Sequence, residues 1–434
     1  MVFFRRSSKA LQLLRALLAA AFCRCRASLL SMLILLFKGV KILKLPDYIG
    51  PCAFGIKMGV IVPNCDLPGM ILKALQQVDQ DQLLSEGDAL CITESIVARA
   101  ENNYVTTAEA ASEIREKLAL QPHQKIGVLF PILSRNRFSL ILRAIAETVP
   151  QGEVIVQLSY PDDEVGNQLI PHDVAERLQE EKGDFLTPDD LGRGYTHPLT
   201  GVNYIALYRD VISQVGAHPT IYLSNDPVKI AEYAPDAVIA ADIHKKEKTK
   251  KHVASHVEKV ITLQEICNMN KGGAWSQWGL LGSNMSSGNK LKLAPREGDK
   301  FASDVQALIH RELGKSVEVI IYGDGAYKDP SSGIYELADP QPAFGATPNV
   351  KGVLREGVKF KYLVDLHHED GKCEEEIMDL VSQEAKKKRE VNCITAEGTT
   401  PRRMEDVLSS LADLISGSAD AGTPMVLVKG IYSR

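Results

Sequence analysis

The chain has 434 residues and a mass of 47.6 kDa, which leaves room for roughly two or three domains with proper cores. Its 45% hydrophobic and 24% charged residues are those of an ordinary globular protein, and a net charge of −5 excludes a general nucleic-acid binder. Eight cysteines without a C-x-x-C pair exclude a zinc ribbon and a disulfide framework, so a reducing, cytoplasmic setting is expected.

The charge is unevenly laid out. Residues 1–46 hold nine Lys or Arg and no acid, so the net charge of −5 splits into +9 there and −14 elsewhere. Two apolar runs, 11–22 and 29–37, flank Arg24 and Arg26. Each is too short to span a bilayer, and neither ends in a small-residue cleavage site. A targeting peptide, a membrane-surface helix and upstream sequence foreign to the mature protein all fit. The patterned chain begins near Met58 (GVIVPNCDLPG), which favours a dispensable leader over 1–50 and no stable membrane span.

In chain order, residues 59–63 read as a short strand, and Pro68 opens a helix reaching about residue 84. Gly87-Asp88 is a turn before a strand at 89–93. From Glu94 to Arg99 strict alternation breaks at Ile96 and Val97, which fits a bulged strand or a strand-to-helix switch. Either puts Thr93, Glu94, Ser95 and Arg99 near one rim. Thr106-x-x-Glu109 is a capping box, so a helix comes next over 108–120. A strand at 126–130 then runs through Pro131 into Ser134-Arg135-Asn136-Arg137 and a helix marked by Leu140, Ile141, Ile145 and Val149. Two arginines with Ser and Asn at a helix start can cradle an anion or carboxylate. A solvated helix cap is the plainer alternative.

Residues 151–200 read as loop-rich and acidic, with His197 as a structural histidine. A strand–helix–strand unit at 219–243 lacks G-x-G-x-x-G, so nothing there points to a dinucleotide. Lysine-rich 245–251 reads as an exposed turn or helix end, and Thr262-x-x-Glu265 as the start of a capped helix. The Gly-, Ser- and Asn-rich stretch 271–298 holds both tryptophans, as a functional loop would. Phe301, Val305, Leu308, Ile309 and Leu313 make an amphipathic helix stopped by Gly314.

That helix delivers the chain into SVEVIIYGDGAYKDPSSG, where a strand at 317–322 puts Asp324 just past its carboxyl end, between two glycines. A carboxylate there suits a hard cation such as Mg²⁺ or Mn²⁺. Gly323-Asp324-Gly325 alone is equally well a turn. Further on, KFKYLVDLHHEDG reads as a strand running into a solvated turn, and 386–389 as a helix end. A donor-rich loop at 394–403, an amphipathic helix at 404–415 stopped by Gly417, and a closing strand (PMVLVKGIY) complete the chain.

Three of these stretches resemble one known family. GDALCITESIVARAEN is similar to the block of the coenzyme F-420 γ-glutamyl ligases that opens with Gly-Asp, crosses an apolar strand and closes on a basic residue, Ala and Glu. Arg99, Ala100 and Glu101 take that ending, with Arg where Lys is usual. SNMSSGNKLKLAPREGD is similar to the family's A-G-I-D-x-S-N loop with its apolar-Pro-acidic sequel, and VEVIIYGDGAYKDPSSG to its strand ending in S-D-T-x-G-R. The last two keep the family's order and spacing. The likeness covers 59–110 and 270–345, whereas SRNRF and GTTPRR resemble a longer bacterial branch.

The resemblance implies an α+β (mixed α/β) fold of mixed sheets with helices and an inserted α/β segment. A leader or non-native extension at 1–50 would precede ligase-like parts at 51–124 and 266–434, separated by a middle α/β segment at 125–265. It also implies nucleotide-dependent amide formation in a homodimer. GTP, or ATP in some relatives, phosphorylates a carboxylate, Mg²⁺ or Mn²⁺ holds the phosphates, and the amine of L-glutamate attacks the acyl phosphate.

Carried over residue by residue, Asp324 matches the metal-binding Asp and Asn289 the Asn closing the loop. The loop Asp falls on Ser286, and Tyr322, Gly323 and Gly325 replace smaller or hydroxyl-bearing neighbours. Glu101 and Asp329 are the carboxylates left to complete the metal site. No Walker A sequence occurs, in agreement with a family that binds its nucleotide differently.

A ligase of this kind must neutralise phosphate, offer cationic donors and hold the carboxylates of glutamate. Asp324 and Arg99 are the expected catalytic residues, and Thr93, Ser286, Ser287 and Asn289 the phosphate-binding ones. Ser134, Arg135, Asn136, Arg137 and Arg402, or its neighbour Arg403, are the substrate-binding ones. The expected reaction attaches L-glutamate to a carboxylate-bearing cofactor precursor of the F-420-0 type. Folate or dihydropteroate is the alternative acceptor, and Ser286 raises a degenerate, non-catalytic nucleotide binder as the alternative role.

Overall fold

Apolar runs bounded by turn residues fold into two five-stranded sheets of different kinds. The computed structural model describes residues 48–386, 402–416 and 422–431, apart from 193, 326 and 356. Residues 1–47 of the leader expected over 1–50, the expected helix end at 387–389, the loop residues 394–401 and Gly417 lie outside them.

The first sheet draws on both ends of the chain. It comprises β1 (Cys52–Ile56), β2 (Ala89–Thr93), β11 (Glu318–Tyr322), β14 (Ala343–Ala346) and β17 (Met425–Lys429), in the order β1-β17-β2-β11-β14. Only β2 and β11 run parallel; the other neighbours are antiparallel. Helices α1 (Leu67–Gln80) and α8 (Gly298–Leu313) cover one face, where Ile71, Leu75, Val305 and Ile309 pack with Leu90, Ile92, Val319 and Ile321. On the other face α11 (Met404–Ser416) sets Leu408 and Ala412 among Cys91, Ile320 and Tyr322. Cover on both faces is why β2 and β17 are buried throughout and read as continuous apolar runs.

The second sheet is wholly parallel. It comprises β4 (Lys125–Leu129), β5 (Glu153–Leu158), β6 (His218–Leu223), β7 (Ala237–Ala240) and β8 (Val260–Thr262), in the order β6-β5-β4-β7-β8. Ile114 of α3 (Thr107–Leu118), Ile141 of α4 (Phe138–Thr148) and Tyr208 of α6 (Tyr204–Ser213) join the core on one face. Val253 of α7 (Lys246–Val253) and Ile230 join the core on the other. A small antiparallel sheet, β3 (Tyr104–Thr106), β10 (Lys290–Lys292) and β9 (Asn284–Met285), adjoins both sheets. Shorter pieces are α2 (Glu94–Ala100), α5 (His172–Lys182), α9 (Phe360–Glu369) and α10 (Glu374–Ala385). Two small ladders pair β12 (Tyr327–Lys328) with β13 (Tyr335–Glu336), and β15 (Leu354–Arg355) with β16 (Arg402–Arg403). The class is α+β, as the sequence predicts. Among the described residues no helix is long and apolar enough to cross a membrane.

Several elements differ from the expectations above. Residues 59–63 form no strand: Val60 and Val62 face solvent, and only Ile61 of the three points inward. The first helix ends at Gln80, because Gln82 takes a left-handed φ of 58°. Between Thr93 and Ala100 the strand-to-helix switch holds, with Thr93 as the cap. Residues 151–200 contain β5 and α5, since their acidic average hides the six-residue run EVIVQL. The lysine run at 245–251 is mostly α7. The Thr262 capping box closes only a single 3-10 turn, after which Ile266 is extended. KFKYLVDLHHEDG is helix α9 rather than a strand, because Leu363 packs with Ile377 and Val381 of α10 at helical spacing.

A buried ion pair ties the closing strand to β2. Lys429 sits 2.6 Å from Asp88 and also donates to the Leu83 carbonyl (2.7 Å) and Ser85 Oγ (2.9 Å). Removing one partner of such a pair strands the other charge, at about 3–5 kcal/mol. Lys429→Met is therefore expected to lower the stability in urea by about 3–5 kcal/mol. A loss below about 1 kcal/mol, the scale of a surface pair, would show that Asp88 finds other partners.

Candidate active site

Because β2 and β11 are parallel and in register, with Thr93 opposite Tyr322, the residues after each strand emerge on one edge. After β2 the backbone turns at once into α2, whose first residue, Glu94, is buried. Both of its carboxylate oxygens accept from Lys292 of β10 at 2.7 Å. After β11 come Gly323, Asp324 and Gly325. The Asp324 N–H donates to Asp339 Oδ2 at 2.8 Å, and the Gly325 N–H to Asp413 Oδ2 of α11 at 3.0 Å.

Arg137, at the start of α4, reaches this edge from the parallel sheet. It donates through Nε to Asn284 Oδ1 at 2.9 Å and also binds the Ala338 carbonyl and the Asp339 carboxylate. Its Nη2 lies 3.5 Å from Asp324 Oδ2. Asp339 is only 3% exposed, whereas 40% of the Asp324 side chain is open to solvent. Asp324 is a solvent-open carboxylate of the group.

Glycine makes this crowding possible. A Cβ on Gly323 would collide with Asp339 Oδ2 and with the edge of the Phe344 ring. Overpacking of this kind costs about 1–3 kcal/mol. Gly323→Ala is therefore expected to lower thermal stability and to displace Asp339 from the Asp324 N–H. Unchanged melting would show that the loop yields freely.

The electrostatics are lopsided. Among the described residues, Glu94, Asp324, Asp339 and Asp413 share two close cations, Arg137 and Lys292. The neighbouring Asp339, together with burial, pushes the Asp324 carboxyl up to about 7 against the pull of Arg137. Burial likewise raises Glu94, with Lys292 opposing, and raises Asp413. The edge is short of positive charge. Among the described residues no three His, Cys, Asp or Glu side chains stand in ready-made metal geometry.

The family model for F420-0:gamma-glutamyl ligase matches residues 55–430. The chain belongs to that family. No curated protein matches it. The match extends over the parallel sheet as well as the mixed one, and it makes the chain a member of a family of ligases.

In this γ-glutamyl ligase relative, a cleft of about 320 Å³ brings Asp324 together with Ser134, Arg135, Asn136, Arg137 and Asn284. Arg135 and Asn136 are exposed there, while Arg137 is committed to carboxylates of the protein itself. Thr93 caps α2 at the foot of the same edge.

Other sequence-predicted residues do not line this cleft. Arg99 is exposed and reaches the Ile61 carbonyl at 3.4 Å. Glu101 accepts the Arg296 N–H at 3.0 Å, and burial raises its carboxyl. Asp329 accepts the N–H groups of Ser331 and Ser332, each at 2.8 Å, and closes its own turn. Ser286, Ser287 and Asn289 form the tip between β9 and β10, where Ser286 N–H meets the Lys290 carbonyl and the Asn289 carbonyl accepts Thr107 N–H. Arg402 and Arg403 are exposed on β16, and a helical rise of 1.5 Å per residue puts Asp413 about 15 Å further along.

Sequence reasoning overlooked Lys292, Asp339, Asn284 and Asp413, and named Glu94 only as a rim residue. Lys292 lies in the alternation KLKL, which reads as an outward strand lysine. Asp339 lies in the proline-flanked turn ADPQP, where Asp is an ordinary turn residue.

Proposed function

We propose that the chain attaches L-glutamate to the carboxylate of an F-420-0 type cofactor precursor, through an acyl phosphate made from GTP or ATP. The observation that carries this reading is the cleft in which Asp324 faces Ser134, Arg135 and Asn136. The Arg135 side chain has no hydrogen bond or ion pair to the described residues, so its guanidinium is free to take a substrate carboxylate or phosphate in two parallel bonds. Arg137 serves as a positioning residue: it fixes Asp339, and Asp339 holds the Asp324 backbone.

A divalent cation fits the donor set. Mg²⁺ is commonly held by one or two carboxylates with phosphates and waters rather than by an all-protein cage. Asp324 is the one carboxylate that would hold it, on an edge with surplus negative charge, since Asp339 is spent on Arg137 and the Asp324 N–H. When bound, such an ion supplies neutralisation of the phosphate oxygens. The protein's own side chains then orient the reactants. The acceptor carboxylate attacks the terminal phosphorus and releases the nucleoside diphosphate. The glutamate amine, losing its proton, attacks the acyl carbon and expels phosphate. Homodimeric action in the cytoplasm completes the proposal, and the five described cysteines are free, as a reducing compartment would leave them.

The test is phosphate release with GTP or ATP, Mg²⁺ or Mn²⁺ and glutamate, with deazaflavin and pterin acceptors in separate arms. Release requiring both glutamate and one acceptor is expected, and the productive arm names the acceptor class. Nucleotide binding without release in any arm would replace the ligase with a non-catalytic binder, for which Ser286 at the loop-Asp position would be the reason.

A further inference from the structure

The parallel sheet carries a second cleft that the ligase chemistry leaves unused. From β4 the strands proceed in opposite directions, β5 and β6 to one side, β7 and β8 to the other. In doubly wound sheets small molecules bind at that reversal, beyond the carboxyl ends of the strands. A cleft of about 510 Å³ opens there, with Phe130 after β4, Tyr160 after β5 and Asp242 after β7 in its wall.

Asp242 is 2% exposed. Its Oδ2 accepts the Thr249 hydroxyl at 2.8 Å, while the equally buried Oδ1 has no partner among the described residues. A buried acceptor left unpaired is costly, and a ligand donor would satisfy it. Lys245, Lys248 and His252 also line the cleft. Their spacing of three and four residues puts them on one face at the start and along the length of α7. The cleft therefore has a buried acceptor on one side and a basic stripe on another, with Asp162, Asp163 and Glu164 also in its wall.

We propose that this cleft binds a phosphorylated ribose, as in a nucleoside monophosphate, with sugar hydroxyls on Asp242 and the phosphate on Lys245, Lys248 and His252. Its size is that of a small-molecule site and exceeds what an amino acid needs. Phe130, half-buried in the wall, offers aromatic surface to a base. A dinucleotide is not accommodated. No glycine-rich turn comes after β4, and Glu164 already accepts the N–H groups of Ile243 (2.6 Å), His244 (3.0 Å) and Lys245 (2.9 Å), filling the backbone anion nest with a carboxylate. The loop that carries Glu164 separates the two clefts. Its Val165 and Asn167 line the cleft of Asp324, while Asp163 and Glu164 line the one beside α7.

Isothermal titration of the full chain with AMP and with ribose 5-phosphate tests this, independently of turnover. Both should bind, and Lys248→Glu, an exposed change, should weaken both about tenfold, a difference of about 1.4 kcal/mol. Asp242→Asn should weaken them similarly, and Asp324→Asn should not. Absence of binding by either compound would overturn the proposal. So would binding that Asp324→Asn removes and Lys248→Glu leaves intact, which would place the nucleotide in the ligase cleft. L-Glutamate binding lost in Lys248→Glu, without binding of AMP or ribose 5-phosphate, would overturn the ribose assignment.

Discussion

Asp324→Asn will lower glutamate-dependent phosphate release by about 10²–10³-fold, the usual cost of removing one preorganised electrostatic group, yet leave the protein at least as stable as before. Asp324 is a solvent-open carboxylate on a crowded edge, and its repulsion from Asp339 outweighs its attraction to Arg137. Its carboxyl titrates at about 7 in the folded chain, above the ordinary aspartate value of 3.8. Between those values the folded state holds the extra proton, so stability falls as pH rises from about 4 to about 7 and stays lowered above. Asn carries no such charge. Thermal melts should therefore nearly coincide at pH 4 and separate at pH 8, with the variant melting higher. A variant that melts lower at pH 8 would show that attraction to Arg137 outweighs repulsion from Asp339.

Arg137→Met should act the other way, on stability first. One guanidinium serves Asn284, the Ala338 carbonyl, Asp339 and Asp324, and it joins α4 to the mixed sheet's edge. Without it Asp339, at 3% exposure, is left as a buried charge that has lost its ion-pair partner. The expected loss is about 3–5 kcal/mol in urea unfolding, with Arg137→Lys intermediate because an ammonium keeps the charge but not the planar fork. Adding Asp339→Asn to Arg137→Met should recover part of the loss, since the stranded charge is then gone. Additive losses in the double variant would mean that the two residues do not interact energetically.

How much of this was legible in the sequence depends on how each signal arises. Apolar runs such as ALCIT and the run before Asp324 announce buried strands whatever packs around them, and Gly323 and Gly325 flag a close approach to Asp324. Arg137 was legible as a cation at a helix start, yet nothing local distinguishes a guanidinium that meets a ligand from one that meets Asp339, about two hundred residues on. Lys292 is the same case: its partner Glu94 comes from another element, so its alternation reads as outward. KFKYLVDL was misread because a short run fits both periods, and the packing of Leu363 on α10 decides for helix.

The most direct test of an acyl-phosphate ligase tracks one oxygen. With an F-420-0 type acceptor labelled with ¹⁸O in its carboxylate, a single turnover with GTP or ATP and L-glutamate should deliver one labelled oxygen to the inorganic phosphate for each amide formed. Label recovered in a nucleoside monophosphate, or amide formed with unlabelled phosphate, would contradict an acyl phosphate and with it the role assigned to the Asp324 edge.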